Sequence, residues 1–186
     1  MEHPPRERRV RGFVRRHRKA AALVVVLALT SGSFAVYWFA PWTLFIDRTV
    51  NEALPIVPAP SVGPSIEARP SAARVLSSGS FRSIEHGTSG IARIVVLADG
   101  SRIVRFEDFR TSNGPDVVVQ LSGSTVEQAV AGEYSARTLL LGGLKGNVGS
   151  QNYAIPPSVD VSEYHSVLVW CRRFSVGFGV APITLA

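Results

Sequence analysis

The sequence predicts an all-β domain, a sandwich or barrel, carried outside the cytoplasm on a single N-terminal transmembrane helix. Three observations predict it: an uncharged apolar run behind a basic tail, a proline-rich stretch after that run, and short β-rich segments punctuated by turn residues from about Val75 onward. The expected organisation is a basic cytoplasmic tail over residues 1–19, a transmembrane signal anchor over 20–46, a Pro-rich linker over 47–74 and a β domain over 75–186.

The net charge of +6 is not spread over the 186 residues. Residues 1–19 hold eight Lys or Arg against Glu2 and Glu7, whereas from Asp47 onward twelve basic residues face twelve acidic ones. A nucleic-acid binder carries its basic patch on the folded domain. Here the excess sits in the tail, so no nucleic-acid partner is expected.

Residues 20–46 lack a formal charge. As a helix, residues 20–40 would rise about 31 Å, close to the ~30 Å hydrocarbon core of a bilayer. Pro41 falls near the far interface, and Tyr37, Trp38 and Trp42 sit there as an aromatic belt would. The basic cluster at the other end predicts a cytoplasmic N-terminus, an extracytoplasmic C-terminal domain and the lipid bilayer as a partner of residues 20–46. A cleaved signal peptide is the competing reading, with Ser31 and Ser33 as small residues at a cleavage site. The apolar run continues well past them, which favours a retained anchor. Both readings put the domain on the same side.

Residues 51–74 contain Pro55, Pro58, Pro60, Pro64 and Pro70 among Ala, Ser and Val. Such a composition favours extended polyproline II and builds no core, so it reads as a semi-rigid, protease-sensitive spacer. Beyond it, residues 91–98 end at Asp99-Gly100, a two-residue hairpin signal. In residues 102–109, Val104 and Phe106 share one face, Arg105 and Glu107 the other. Gly114-Pro115-Asp116 is a turn before the apolar strand 117–121, and residues 125–131 suit one or two helical turns. Residues 138–141, 152–155, 166–171 and 175–180 complete seven or eight short strands, the pattern of a sandwich or barrel.

Cys171 is the only cysteine, so no intramolecular disulfide forms and a structural zinc site with two thiolates is excluded. Period two along residues 166–171 puts Val167, Val169 and Cys171 on one face and Leu168 and Trp170 on the other. Two fates are open to Cys171. It is either a small buried hydrophobe, or a thiolate favoured by Arg172 and Arg173 if its sulfur is accessible. A thiolate serves as a redox centre or a soft metal ligand. His165, six residues away, cannot share a metal ion with it along one strand; His86 could approach it only through tertiary folding. CxxCH is absent, so any haem would be non-covalent. Residues 142–149 carry Lys145 before Gly146, the wrong order for a phosphate loop, and read as a turn-rich loop. Gly177 and Gly179 read as close-packing positions. GxSxG and HExxH are absent as well, leaving no recognisable hydrolase site.

Several elements recur in an order that resembles the DM-thirteen electron-transfer domain family. They are Gly79-Ser80-Phe81, Ser89-Gly90-Ile91-Ala92, Phe106-Glu107-Asp108-Phe109, and Gly114-Pro115-Asp116 running into Val117-Val118-Val119-Gln120-Leu121. Leu144-Lys145-Gly146-Asn147 follows, with Gly149, Gln151, Tyr153 and Pro156, then Tyr164-His165-Ser166-Val167-Leu168-Val169-Trp170-Cys171, and Phe174, Val176, Phe178, Gly179 and Ala181. The resemblance covers residues 79–183. It implies a β-sandwich-like fold and a redox role for Cys171, as a bare thiol or as a ligand to a prosthetic group such as haem. Trp170, Tyr153 and His86 would line that group, and Arg172 and Arg173 would tune the thiolate. It also implies a membrane or extracytoplasmic redox partner, since related animal domains accompany DOMON-type cytochrome domains and bacterial members are commonly exported or membrane-bound. The chain is then a redox carrier or a binding module rather than a catalyst with its own substrate. The alternative is a non-enzymatic binding or adhesion module in which Cys171 is simply packed. Burial of the sulfur discriminates the two.

Overall fold

The computed structural model describes residues 17–39, 46–56 and 73–185 in two compact units. The basic tail up to residue 16, Pro41 and Trp42 at the expected interface, and Pro58, Pro60, Pro64 and Pro70 of the expected spacer lie outside the described residues.

Among the described residues, the first unit contains one helix, α1 (Arg18–Phe39), of 22 residues. Ala, Val and Leu dominate it, none of its side chains is buried, and it is long and apolar enough to cross a membrane by length and composition. At ~1.5 Å per residue it rises about 33 Å.

The second unit is built almost wholly of antiparallel strands: β1 (Arg74–Ser80), β2 (Arg82–Ser83), β3 (Ser89–Val96), β4 (Arg102–Arg110), β5 (Val117–Ser122), β6 (Thr138–Gly143), β7 (Val148–Ile155), β8 (Ser166–Cys171) and β9 (Val176–Pro182). They form a four-stranded sheet ordered β1-β3-β4-β7 and a five-stranded sheet ordered β2-β9-β8-β5-β6. The expected all-β architecture is therefore observed. The expected strands are all present, with β1 and β2 added at the N-terminal side.

Local chemistry explains the main connections. Leu97 N donates to Ser101 O across the β3–β4 turn, where Gly100 takes the positive φ of 84° that glycine adopts without a Cβ clash. Residues 125–131 do form a short helix, α2 (Val126–Val130). Its capping box is complete: Thr125 Oγ1 accepts from Gln128 N, and Gln128 Oε1 accepts from Thr125 N.

One core lies between the inner faces of the two sheets. Ala92, Ile94, Val104, Phe106, Phe109, Tyr153 and Ile155 come from the four-stranded sheet. Val119, Leu121, Val167, Val169, Cys171, Phe178 and Ala181 come from the five-stranded sheet. A smaller cluster on the outer face of the five-stranded sheet joins Leu168 and Val180 to Val126 and Ala129 of α2, with Ile84 and Trp170 packed against it. On that face, a Cβ on Gly177 would come within 2.7 Å of Ile84 Cδ1, which supports the close-packing reading of this glycine.

Strict alternation along β4 would turn Phe106 and Asp108 to the same side. A β-bulge between Phe106 and Phe109 shifts the register against both neighbours, with Asp108 at φ 48°, and brings both phenylalanines into the core. Phe81, Phe106 and Phe109 then pack ring against ring, at centroid separations of 4.9, 5.2 and 4.8 Å. A second bulge between β8 and β9 turns Phe178 inward while Val180 faces α2.

The segment expected to begin the spacer behaves differently. Residues 46–53 lie against the domain, and Thr49 forms a parallel bridge with Val148 of β7. Composition misplaces this stretch because Asp47, Arg48, Asn51 and Glu52 look like solvated linker residues, whereas here they satisfy polar groups along the sheet edge.

Candidate functional site

Cys171 ends β8, with β5 and β9 on either side, opposite Val117 and Val176. As period two requires, its side chain shares the inner face with Val167 and Val169. Its exposure is 0%, so the sulfur is enclosed here, the buried one of the two fates open to it. The physical reason is topological. β8 lies second from neither edge of its sheet, between β9 and β5, and the opposite sheet covers its inner face.

Trp170 points the other way. It sits on the outer face, edge-on to Tyr134 at 4.7 Å between centroids, so the sheet itself separates its indole from Cys171. Tyr153 faces the same core as Cys171 from the opposite sheet, where it packs against Phe106 at 5.4 Å. His86 is half-buried and its ring lies over Phe178 at 3.9 Å, which brings it to the core's edge on β9. The fold thus brings Cys171 and Tyr153 into one core, puts His86 beside that core, and excludes Trp170 from it. His165 is exposed, just before β8.

Arg172 is committed elsewhere. Its Nε and Nη2 donate to the two carboxylate oxygens of Asp116 at 3.0 and 2.8 Å, and its backbone N donates to Asp116 O. This fork ties the Gly114-Pro115-Asp116 turn to the end of β8. The guanidinium therefore serves the turn.

Tyr153 heads a buried polar network that composition does not reveal. Its hydroxyl donates to Gln151 Oε1 at 2.7 Å and accepts from Lys145 N at 3.1 Å. Burial pushes its phenol up to about 12, partly countered by the Lys145 N–H and raised further by the Glu52 charge. The hydroxyl therefore stays neutral and keeps its proton for Gln151. Gln151 is 0% exposed, and its Nε2 donates to Gly146 O at 2.7 Å. The available signal for this network was period two in β7, which puts Gln151 on the same face as Tyr153.

On the outer face of the four-stranded sheet, Glu107 accepts from Arg93 Nε at 2.7 Å and from Arg105 Nε at 3.0 Å. Partial burial alone would raise its carboxyl; the hydrogen bonds from Arg105 and Arg93 and their charges outweigh this and lower it. Glu52 is lowered in the same sense, its burial being outweighed by Lys145, the Asn152 N–H and Arg105. A carboxyl lowered in the folded state contributes stability that is complete above its ordinary value and lost as pH falls through its folded value. The denaturant midpoint is accordingly expected to fall as pH drops below the ordinary glutamate range, and Glu107→Gln to flatten that slope. Unfolding curves at stepped pH measure both. An equally steep slope in the variant would remove Glu107 from the account.

Among the described residues, surface cavities of about 530, 280 and 230 Å³ are lined by residues other than Cys171. Haem is a flat macrocycle that needs open space beside its axial ligand, and an enclosed sulfur among Val167, Val169 and Phe178 does not offer it. The residues around Cys171 in this conformation do not fit that group. Among the described residues, no three His, Cys, Asp or Glu side chains come together to hold a metal ion.

Cys171→Ser tests the enclosure directly. The hydroxyl would enter an apolar site, and the expected loss is about 1–3 kcal/mol in denaturant unfolding; in the parent, the thiol is expected to react with an alkylating reagent only after unfolding. A variant as stable as the parent would mean that the site opens to water.

No curated protein and no solved structure matches the chain. A family model described as "Electron transfer DM13" matches residues 80–183, from the end of β1 to just past β9 and so nearly the whole sandwich. With more than half of its length matched, the chain belongs to the Electron transfer DM13 family.

Proposed function

We propose that this chain is a membrane-anchored, extracytoplasmic module of an electron-transfer system, one that engages its redox partner through its surface and keeps Cys171 as a structural core residue. Family membership supports the electron-transfer setting. The 0% exposure of Cys171 carries the rest, because an enclosed thiol presents neither a nucleophile nor a ligand to a docked protein. The length and apolar composition of α1, with the basic residues before it, support the anchor and its orientation.

A second reading keeps Cys171 as the redox thiol or prosthetic-group ligand. Its support is the family's description, and it requires the strands around β8 to part. One preparation separates the two. An absorbance spectrum of the purified protein, with alkylation rates of the folded protein against pH, should give a colourless sample and a thiol that reacts only after unfolding. A haem or copper–thiolate band, or native alkylation rising through a titration, would establish the second reading instead.

The orientation has its own test. Alkaline phosphatase fused to Ala186 is expected to be active, and a fluorescent protein that matures only in the cytoplasm to stay dark there. The reverse pattern would overturn the topology.

A further inference from the structure

Residues 46–53 meet β7 and the preceding loop as a ligand meets a site. The backbone pairing is that of a parallel strand: Val148 N donates to Arg48 O at 3.3 Å, Val50 N to Val148 O at 2.9 Å, and Glu52 N to Ser150 O at 2.8 Å. Side chains read the segment at both ends. At the first, Asn147 accepts from Arg48 N and donates to Asp47 Oδ1, both at 2.7 Å. At the second, Lys145 Nζ donates to both Glu52 oxygens at 2.7 and 2.9 Å, while Asn152 N donates to Glu52 Oε2 and Asn152 Nδ2 to Ala53 O. Arg105 Nη1 adds a bond to Glu52 O.

The groove also needs its glycines. A Cβ on Gly146 would lie 2.4 Å from Arg48 O, and one on Gly149 would lie 2.1 Å from Val50 O. Both carbonyls occupy space that any other residue would fill.

From these contacts we propose that the β7 edge and the loop of residues 144–147 before it form a strand-recognition site. Its ligand is an extended segment with a carboxylate, supplied by the chain's own residues 46–53. This clasp holds residues 46–53 to the domain non-covalently, beside the covalent link through residues 57–72. Residues 46–53 and β1 belong to one compact unit, so residues 57–72 link two points of that unit. The covalent tether is then residues 40–45. The clasp is independent of whether α1 spans a membrane.

The full-length, detergent-solubilised chain tests this with an N-terminal affinity tag and a site-specific protease sequence inserted within residues 57–72. After cleavage the sandwich fragment is expected to stay on the resin, although no covalent bond holds it. Glu52→Lys, which leaves the sandwich sequence untouched, should raise the fragment in the wash about tenfold. Adding Lys145→Glu should restore retention. Hydrogen exchange on the uncut protein gives a second readout, with Val50 and Glu52 amides protected. Free elution of the wild-type fragment, exchange of those amides at peptide rates, or retention indifferent to Glu52→Lys would each overturn the clasp.

Discussion

Phe106→Ala is expected to lower the unfolding free energy by about 3–5 kcal/mol, the range for emptying a fully buried aromatic site. Phe106 is 0% exposed and touches Phe81 edge-on, Phe109 and Tyr153, so three rings lose a partner at once. The bulge after it holds Phe109 in place, which limits how far the cavity can collapse. A domain of this size has a total stability of about 5–15 kcal/mol, so the variant sits near the edge of folding. Denaturant unfolding followed through tryptophan fluorescence measures the loss. Leu140→Ala, at a side chain 51% exposed, is the control and should stay within about 0.5 kcal/mol of the parent. Equal effects at the two positions would mean that the core is not organised around this ring.

The second large effect is expected at Gln151, where the damage comes from what the side chain leaves behind. Gln151→Leu is close in volume and more apolar, and by burial alone would look harmless. It removes the acceptor for the Tyr153 hydroxyl and for Gly146 N, and the donor to Gly146 O. Each buried polar group left unpaired costs about 1–3 kcal/mol, so a loss of about 3 kcal/mol or more is expected. Gln151→Glu separates shape from hydrogen bonding: it keeps the acceptor, loses the donor, and brings a charge into a closed site. Unfolding curves should rank parent above both variants. A leucine variant as stable as the parent would show that water can replace the side chain, contrary to its complete burial.

The same loop serves two purposes. Lys145 and Asn147 hold residues 46–53 on the outside, while the Lys145 and Gly146 backbone amides bond to Gln151 on the inside. Only residues 144–147 form the connection that composition indicates for 142–149, since β6 runs to Gly143 and β7 begins at Val148. What composition omits is the partners that Lys145, Gly146 and Asn147 find in the folded chain.

What the sequence by itself determined is what depends on near neighbours. The charge-free run and its length specify α1; Asp99-Gly100 specifies the β3–β4 hairpin; Thr125 and Gln128 specify α2. Period two in residues 166–171 correctly turns Cys171 to the opposite face from Trp170. These are interactions across a few residues, and a linear pattern records them. The tertiary structure alone decided whether the Cys171 face looks toward solvent or toward a second sheet, because that depends on strand order, with β8 between β9 and β5. It alone inserted the bulge that carries Phe109 inward against the alternation. It alone gave Glu52 a partner 93 residues away in Lys145, turning what reads as linker into a bound strand. A polar residue looks the same in sequence whether water or a distant lysine satisfies it, and only the folded chain says which.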